Sequence, residues 1–519
     1  MRMSIVYAIK IFGALSVVAW LTRLIAGPGL RAVLSPADWK AVWWGIVGTL
    51  AVSCFSVKIP LFFVVLPLWA MLLAHRLGAD GSGRLPAYAL LCCICPAMTF
   101  QIEHIGPLNN LILITPFRVL VAVLLVPEAS RLMSRRDAPK SPSWLTLCDV
   151  AVTVYILYWL GRYFSTATIT TIAREIMGQA LDTVIPYFVL SRACVATAVR
   201  RRVLAFALVG AVYEAFVGMV ESGSGHYLYA QLQWLYDESW GQSTGLMRGS
   251  WLRAEAAFQG PLALAVLLLF GVGLWFALRP SAKNRAYLVS VVALMGGALA
   301  TYGRGPIIAT FLLLASMAML RRMDAKRYLV VATVGTVVFS VVWNTGLGDV
   351  VLGLVTRVSA GDENADFNVL YRQQLLDTSL ALLRQSPWWG VPNYLDYMED
   401  LRQGDGIIDM VNTYLIVALN SGVFGLALYL APFVVVIWKE GARVTRRLDL
   451  RREGAAWLAL TAGLLAAIFT VSPISIIQPL LVWVVALALA RLQDSADVAP
   501  ALATTEPAVA LRRGSIFRA

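Results

Sequence analysis

The chain alternates between long apolar stretches and short polar ones. Apolar runs lie near 4–26, 41–55, 58–75, 86–100, 111–127, 146–161, 176–191, 203–221, 257–278, 285–302, 305–320 and 327–344. Three more lie near 411–438, 455–472 and 475–491. A helix needs about 20 predominantly apolar residues to cross a bilayer. The runs therefore predict an all-α protein, a polytopic transmembrane bundle of about 13–15 spans over residues 1–492. The first run contains Lys10 and Arg23, so it either crosses or lies along the interface. No small-residue cleavage site follows a short apolar core, so no removed signal peptide is read.

The polar joints set an orientation. Arg131, Arg135, Arg136 and Lys140 fall in one joint, and Arg192, Arg200, Arg201 and Arg202 in another. Further basic joints are 279–285, 321–327 and 439–452. Two spans separate each from the next, so the positive-inside rule puts all five in the cytoplasm. The joints 101–110, 162–175, 222–256, 301–306, 345–410 and 472–475 then face outward. Two of these are long. Segment 222–256 carries Trp234, Tyr236, Asp237, Glu238, Trp240, Arg248, Trp251 and Arg253. Segment 345–410 is read as a large, partly helical outer loop, with a helix from Tyr371-Arg372 to Arg384 that stops at Ser386-Pro387. Aromatics among mixed charges argue against simple disorder, and loops of this length are usually functional. Residues 493–519, rich in Ala, Pro and Thr, are read as a disordered cytoplasmic tail.

Composition agrees with this pattern. The 519 residues are 59% hydrophobic and 14% charged, which excludes a soluble domain, a disordered chain and a small disulfide scaffold. The formal charge of +13 is accounted for by the basic joints, so nucleic-acid binding is not inferred from it. Cys92, Cys93 and Cys95 lie in an apolar run without neighbouring His or carboxylate, which fits packing thiols rather than a metal site.

Charges inside apolar runs are costly and become functional candidates by default. Arg118, in Thr115-Pro116-Phe117-Arg118, and Glu214, in Val212-Tyr213-Glu214-Ala215, are two such residues. A pair between them across the bundle and a contact to substrate are both open readings. Arg304 sits in the outward turn Tyr302-Gly303-Arg304-Gly305-Pro306, where glycines permit close approach and a guanidinium offers a fork of donors suited to phosphate. Arg253 begins a stretch, through Glu255 and Phe258 to Pro261, where an outer segment re-enters the membrane.

Four stretches together carry a resemblance. They are Arg253 to Pro261, the Gly303-Arg304-Gly305-Pro306 turn, and Arg372 with its helix and Pro387-Trp388-Trp389-Gly390-Val391. The fourth runs from Asp409-Met410-Val411-Asn412-Thr413-Tyr414-Leu415 to Ser421-Gly422-Val423-Phe424-Gly425-Leu426. In order and spacing, over roughly 250–440, the chain resembles the O-antigen ligase and polysaccharide polymerase family of bacterial inner membranes. The resemblance implies a GT-C-like fold. It also implies metal-independent glycosyl transfer at the periplasmic face, without a cofactor. The donor would be an oligosaccharide on undecaprenyl diphosphate and the acceptor a second glycan, with a flippase and a chain-length regulator as further partners. Arg253, Arg304 and Arg372 would meet the departing diphosphate. Asp409 and Asn412 would serve catalysis, and Trp388 and Trp389 would either stack on sugars or anchor at the interface. The chain departs from the family's His-Asn pair, since Val411 stands before Asn412, and His75, His104 and His226 all lie outside the motif. This favours a polymerase over a ligase. A transporter of lipid-linked glycans is the rival class, and matched repeat halves would favour it. No repeat is visible.

Overall fold

The computed structural model describes residues 2–56, 58–105, 108–134, 142–164, 168–229, 232, 246–248, 251–278, 285–322, 363–402, 408, 410–446, 451–473 and 476–494. Asp409, most of the 230–250 stretch with Trp234, Tyr236, Asp237, Glu238 and Trp240, residues 323–362 and the tail beyond 494 lie outside the described residues.

The first helices are α1 (Arg2–Ile25), α2 (Pro36–Phe55), α3 (Ile59–Leu77) and α4 (Arg84–Ile94). An antiparallel hairpin, β1 (Phe100–Ile105) and β2 (Leu108–Ile114), follows. Helix α5 is built from Pro116–Leu120, a π turn Val121–Leu125 and Val126–Met133. Next come α6 (Ser143–Tyr163), then α7 from Ile169–Gln179, a π turn Ala180–Val184 and Ile185–Ala193, then α8 (Thr197–Ser224). A two-residue ladder pairs β3 (Met247–Arg248) with β4 (Trp251–Leu252). The remaining helices are α9 (Pro261–Ala277), α10 (Arg285–Ala300), α11 (Arg304–Arg322), α12 (Glu363–Gln385), α13 (Thr413–Arg446), α14 (Arg451–Ala467) and α15 (Ile477–Asp494).

The fold is an all-α polytopic membrane bundle. Among the described residues, six helices are long and apolar enough to cross a bilayer, and shorter apolar helices include α9, α10 and α11. The apolar run near 111–127 is not a single helix. Its first four residues belong to β2, and the helix starts only at Pro116, where Thr115 accepts the Arg118 N–H at 3.3 Å and proline supplies a preset first turn. The outward joint 162–175 is also shorter than the sequence suggests, because α7 begins at Ile169 with Thr168 as its cap.

Burial sorts the helices by their surroundings. In α9 nearly every residue is buried, and α8 and α15 are largely so; these three form the bundle interior. A helix apolar on all sides needs such a position. Peripheral helices turn large apolar side chains outward, among them Val17, Trp20 and Leu24 of α1 and Leu147, Val150 and Leu157 of α6. Those faces meet lipid. Interior helices approach at small residues, as in membrane packing generally. Gly210 faces Cys93, and Gly297 faces Ala215. The cysteines are buried free thiols, and no metal-competent cluster occurs among the described residues.

Charges stitch one end of the bundle. Arg202 donates to Asp38 at 2.6 Å and to the Leu77 carbonyl at 2.7 Å, joining α8 to α2 and α3. Arg192 pairs with Asp149 at 2.6 Å, and Arg200 with Asp494 at 3.1 Å. Arg491 is held between Glu440 and Glu453, tying α15 to α13 and α14. The basic joints around residues 192–202 and 443 therefore gather at one end, on the last residues of α15. The opposite ends of α8 and α13 adjoin the Arg253 segment and Asn412.

Candidate functional site

The Arg253 segment is fixed by carboxylates from below. Glu214 and Glu221 are two turns apart on α8 and so share a face. Glu221 accepts the N–H groups of Glu255 at 3.1 Å, Ala256 at 2.8 Å and Leu228 at 2.9 Å. Glu214 accepts the Ala257 N–H at 3.2 Å. These buried acceptors hold a contorted backbone. Ala256 (φ 48°) and Gln259 (φ 53°) occupy the left-handed region, which costs a residue with a Cβ about 1–3 kcal/mol. Four hydrogen bonds from backbone N–H groups to these buried carboxyl oxygens, each worth about 0.5–1.5 kcal/mol net, offset such a cost. Glu214 is thus a scaffold for the re-entrant segment. It does not pair with Arg118, because the two residues serve different elements.

Held this way, the segment presents Arg253 to the next motif. The Ala254 N–H donates to the Ala300 carbonyl at 3.0 Å, and Arg253 Nε donates to the Thr301 carbonyl at 3.3 Å. Arg253 is half-buried. Glu255 beside it is buried, and burial followed by the nearby Glu221 pushes its carboxyl up to about 7 against the opposing pull of Arg253.

The Arg304 turn is equally constrained. Tyr302 has φ 51°, and Thr301 Oγ1 accepts the Gly303 N–H at 3.2 Å while donating to Ala298 at 2.7 Å. Arg304 is half-buried and opens α11. A Cβ at Gly305 would lie 1.8 Å from Thr470 Oγ1, so the turn is pressed against the end of α14. That same end receives the fourth motif. The Thr413 N–H donates to Ile468 at 2.9 Å, its hydroxyl to Val471 at 2.6 Å, and Ser472 donates to the Met410 carbonyl at 2.5 Å. Asn412 Oδ1 accepts the Leu415 N–H at 3.1 Å, which makes Asn412 the cap of α13. Arg253, Arg304 and Asn412 are therefore fastened to one rim.

The third motif docks on a broken helix. Helix α13 is interrupted at Gly422 (φ 65°, ψ −173°). Into the break fits Pro387-Trp388-Trp389-Gly390-Val391. The Val391 N–H donates to Leu419 at 2.6 Å, the Val423 N–H to Pro387 at 2.9 Å and the Phe424 N–H to Trp388 at 3.4 Å. Gly390 (φ 74°) lies against the backbone of 419–422. From α6, Tyr158 donates to the Trp389 carbonyl and Arg162 to the Gly390 carbonyl, each at 3.0 Å. Trp389 and Trp388 are both exposed, and the Trp389 ring lies 6.0 Å from Phe424 and 6.3 Å from Tyr158.

Arg372 lies on α12. Tyr371, Leu375 and Leu382 of α12 form a small core with Tyr394, Met398, Met410 and Leu419, while Arg372 is exposed beside that stripe. Arg118 bonds Asp182 through Nε at 3.0 Å and through Nη2 at 2.7 Å, and it donates to the Leu113 carbonyl at 2.8 Å. His226 is exposed, with Nδ1 2.7 Å from the Ser224 carbonyl. Glu221, Tyr158 and Arg162 were not singled out from the sequence. The seven-residue spacing from Glu214 was the available signal for Glu221; nothing local marks the other two.

No curated protein matches the chain. The second, third and fourth motifs fall within a matched segment, and Arg253 lies before it. The match supports a membrane ligase or polymerase type of function acting on lipid-linked glycans. Residues 288–430 match the family model described as O-antigen ligase, in agreement with the resemblance read from the sequence.

Proposed function

We propose that the protein polymerises undecaprenyl-diphosphate-linked repeat units during exopolysaccharide or O-antigen synthesis, at the periplasmic face of a bacterial inner membrane. The observation that carries this reading is the rim on which Arg253 bonds the carbonyl of Thr301, three residues before Arg304. In the reaction an acceptor sugar hydroxyl attacks the anomeric carbon of the donor. The bond from that carbon to the diphosphate oxygen breaks, the hydroxyl proton passes to a base, and the lipid diphosphate leaves with the electron pair. Negative charge grows on the leaving group, and guanidinium groups fixed in advance stabilise it without reorganising. Arg253 and Arg304 take that role, and Arg372 joins them from the outer helix. Asp409 is the proposed base, with Asn412 ordering the segment that carries it. Trp388 and Trp389 offer exposed ring faces for sugar on the docked arm.

The match to an O-antigen ligase model favours one second reading, transfer of finished glycan to a lipid A core. Val411 in the place of the family's His weighs against it. The test is a deletion strain complemented with wild type, Arg253→Ala or Arg304→Ala at matched membrane levels, with glycans resolved by size. Single repeat units without long chains support the polymerase. Long chains stranded on undecaprenyl diphosphate move the assignment to ligase. Normal surface polymer in the deletion strain, with no redundant enzyme present, overturns both.

A further inference from the structure

A cavity of about 350 Å³ lies between the first turn of α5 and the first half of α7, outside every motif. Its walls carry Arg118, Arg174, Glu175, Gly178, Gln179 and Asp182. We propose that this cavity is a carbohydrate subsite, separate from the arginine rim, that holds one neutral sugar unit of the lipid-linked glycan.

The argument starts from charge. Two guanidinium groups face two carboxylates, so the lining has no net charge. A phosphate entering would meet Asp182 and Glu175 as well as the arginines. A polyhydroxylated neutral ligand uses both kinds of wall, since each hydroxyl donates once and accepts twice. The size is at the small end of the ~300–1,000 Å³ typical of small-molecule pockets, which suits a sugar unit rather than a long chain.

The donors are already in place. Arg118 is clamped by Asp182 and the Leu113 carbonyl, which leaves one N–H on each terminal nitrogen without a partner among the described residues. Gly178 permits this, since a Cβ there would stand 3.1 Å from Arg118 Nη2. Gln179 accepts the Thr183 hydroxyl at 3.4 Å through its oxygen, which leaves its amide N–H groups without a partner among the described residues. Among the described residues Arg174 has a single hydrogen bond, a 3.5 Å contact to Thr171.

The helices are also shaped here. Both contain a π turn, at Val121–Leu125 and Ala180–Val184, and the two turns touch. Pro127 and Pro186 each lie two residues past the end of a π turn, and a proline removes a donor and crowds the preceding turn, which widens the helix. Asp182 lies inside the second π turn. Such turns recur at functional sites. Helix α6 packs against both α7 and α13, so the cavity and the docked 387–391 arm flank the same helix.

The identity of the glycan rests on the transferase reading, whereas affinity for a neutral sugar does not. The test uses full-length protein in lipid nanodiscs and saturation-transfer NMR with glucose, galactose, mannose, rhamnose and N-acetylglucosamine, and inorganic phosphate as competitor. We expect saturation of at least one neutral sugar, a loss of about tenfold in affinity in Arg174→Ala and in Gln179→Ala, and no change in Arg304→Ala. Phosphate leaves the signal intact. Thermal unfolding at the wild-type temperature shows that the variants are folded. No saturation of any sugar, an unchanged signal in both cavity variants, or displacement by phosphate each overturns the proposal. If the glycan profiles refute a transferase while the sugar signal persists and responds to Arg174→Ala, the subsite stands and only its glycan is reassigned.

Discussion

Replacing Gly422 by alanine should unseat the outer arm. The φ of 65° with ψ of −173° belongs to a region that is essentially glycine's alone, and occupying it with a Cβ costs about 1–3 kcal/mol. The added carbon would also stand 2.1 Å from the Trp388 carbonyl oxygen and 2.5 Å from the Trp389 nitrogen. Both are backbone atoms, so no side chain can swing away. The chain escapes by releasing 387–391. That gives up three backbone bonds to α13 and the two from Tyr158 and Arg162, each worth about 0.5–1.5 kcal/mol net. Whichever route is cheaper, docking weakens by roughly 3 kcal/mol, or about a hundredfold in the docked population. Trypsin reads this directly, because Arg384 and Arg402 flank the arm and are exposed. In nanodiscs Gly422→Ala should be cut there about a hundredfold faster than wild type. Long glycan chains should disappear as well. Gly161→Ala is the control, since a Cβ there meets nothing within 4 Å. Equal cleavage rates in Gly422→Ala and wild type would refute the idea that the break exists to receive the arm.

Three other outcomes follow from the same structure. Glu255 has its folded carboxyl raised from 4.5 to about 7 by burial, so the folded state holds its proton more tightly than the unfolded state. Its stabilising share is complete below about pH 4.5 and is lost progressively as the pH rises to about 7, some 3 kcal/mol in all. Unfolding temperatures of wild type should therefore fall across that window more steeply than those of Glu255→Gln; parallel curves would remove this role. Arg491→Met leaves Glu440 buried without its partner and should cost about 3–5 kcal/mol, seen as loss of folded protein from membranes, with partial rescue by adding Glu440→Gln. Arg304→Ala should do the opposite, with normal amounts of folded protein and no long-chain product, so the two arginines separate stability from chemistry in one blot and one gel.

Much of the architecture was legible because membrane spans announce themselves by length and the basic joints by position. Arg202, Arg192 and Arg200 do gather at one end, as their spacing implied. What escaped was pairing. Arg118 and Glu214 both stand out as charges in apolar runs, but a run does not state which face meets which neighbour. The partner of Arg118 is Asp182, a carboxylate inside the apolar run 176–191 that was not singled out from the sequence, and Glu214 serves backbone amides. The hairpin at 100–114 was hidden for a similar reason. Its apolar second strand continues directly into an apolar helix, and only Thr115-Pro116 marks the join. Capping by Asn412 was visible in principle, because Asn before an apolar run is a helix start signal.

The docking of residues 387–391 into the break of α13 has a consequence for biogenesis. A ribosome delivers the arm before it delivers the helix that receives it, while Tyr158 and Arg162 have been waiting in the membrane since much earlier in synthesis. The arm must remain unsecured until residues 413–446 have been inserted. Only then does Gly422 offer the gap that Gly390 fills. Completion of the rim is therefore timed by the insertion of a late span, and a nascent chain stalled before that span would display the arm without its seat.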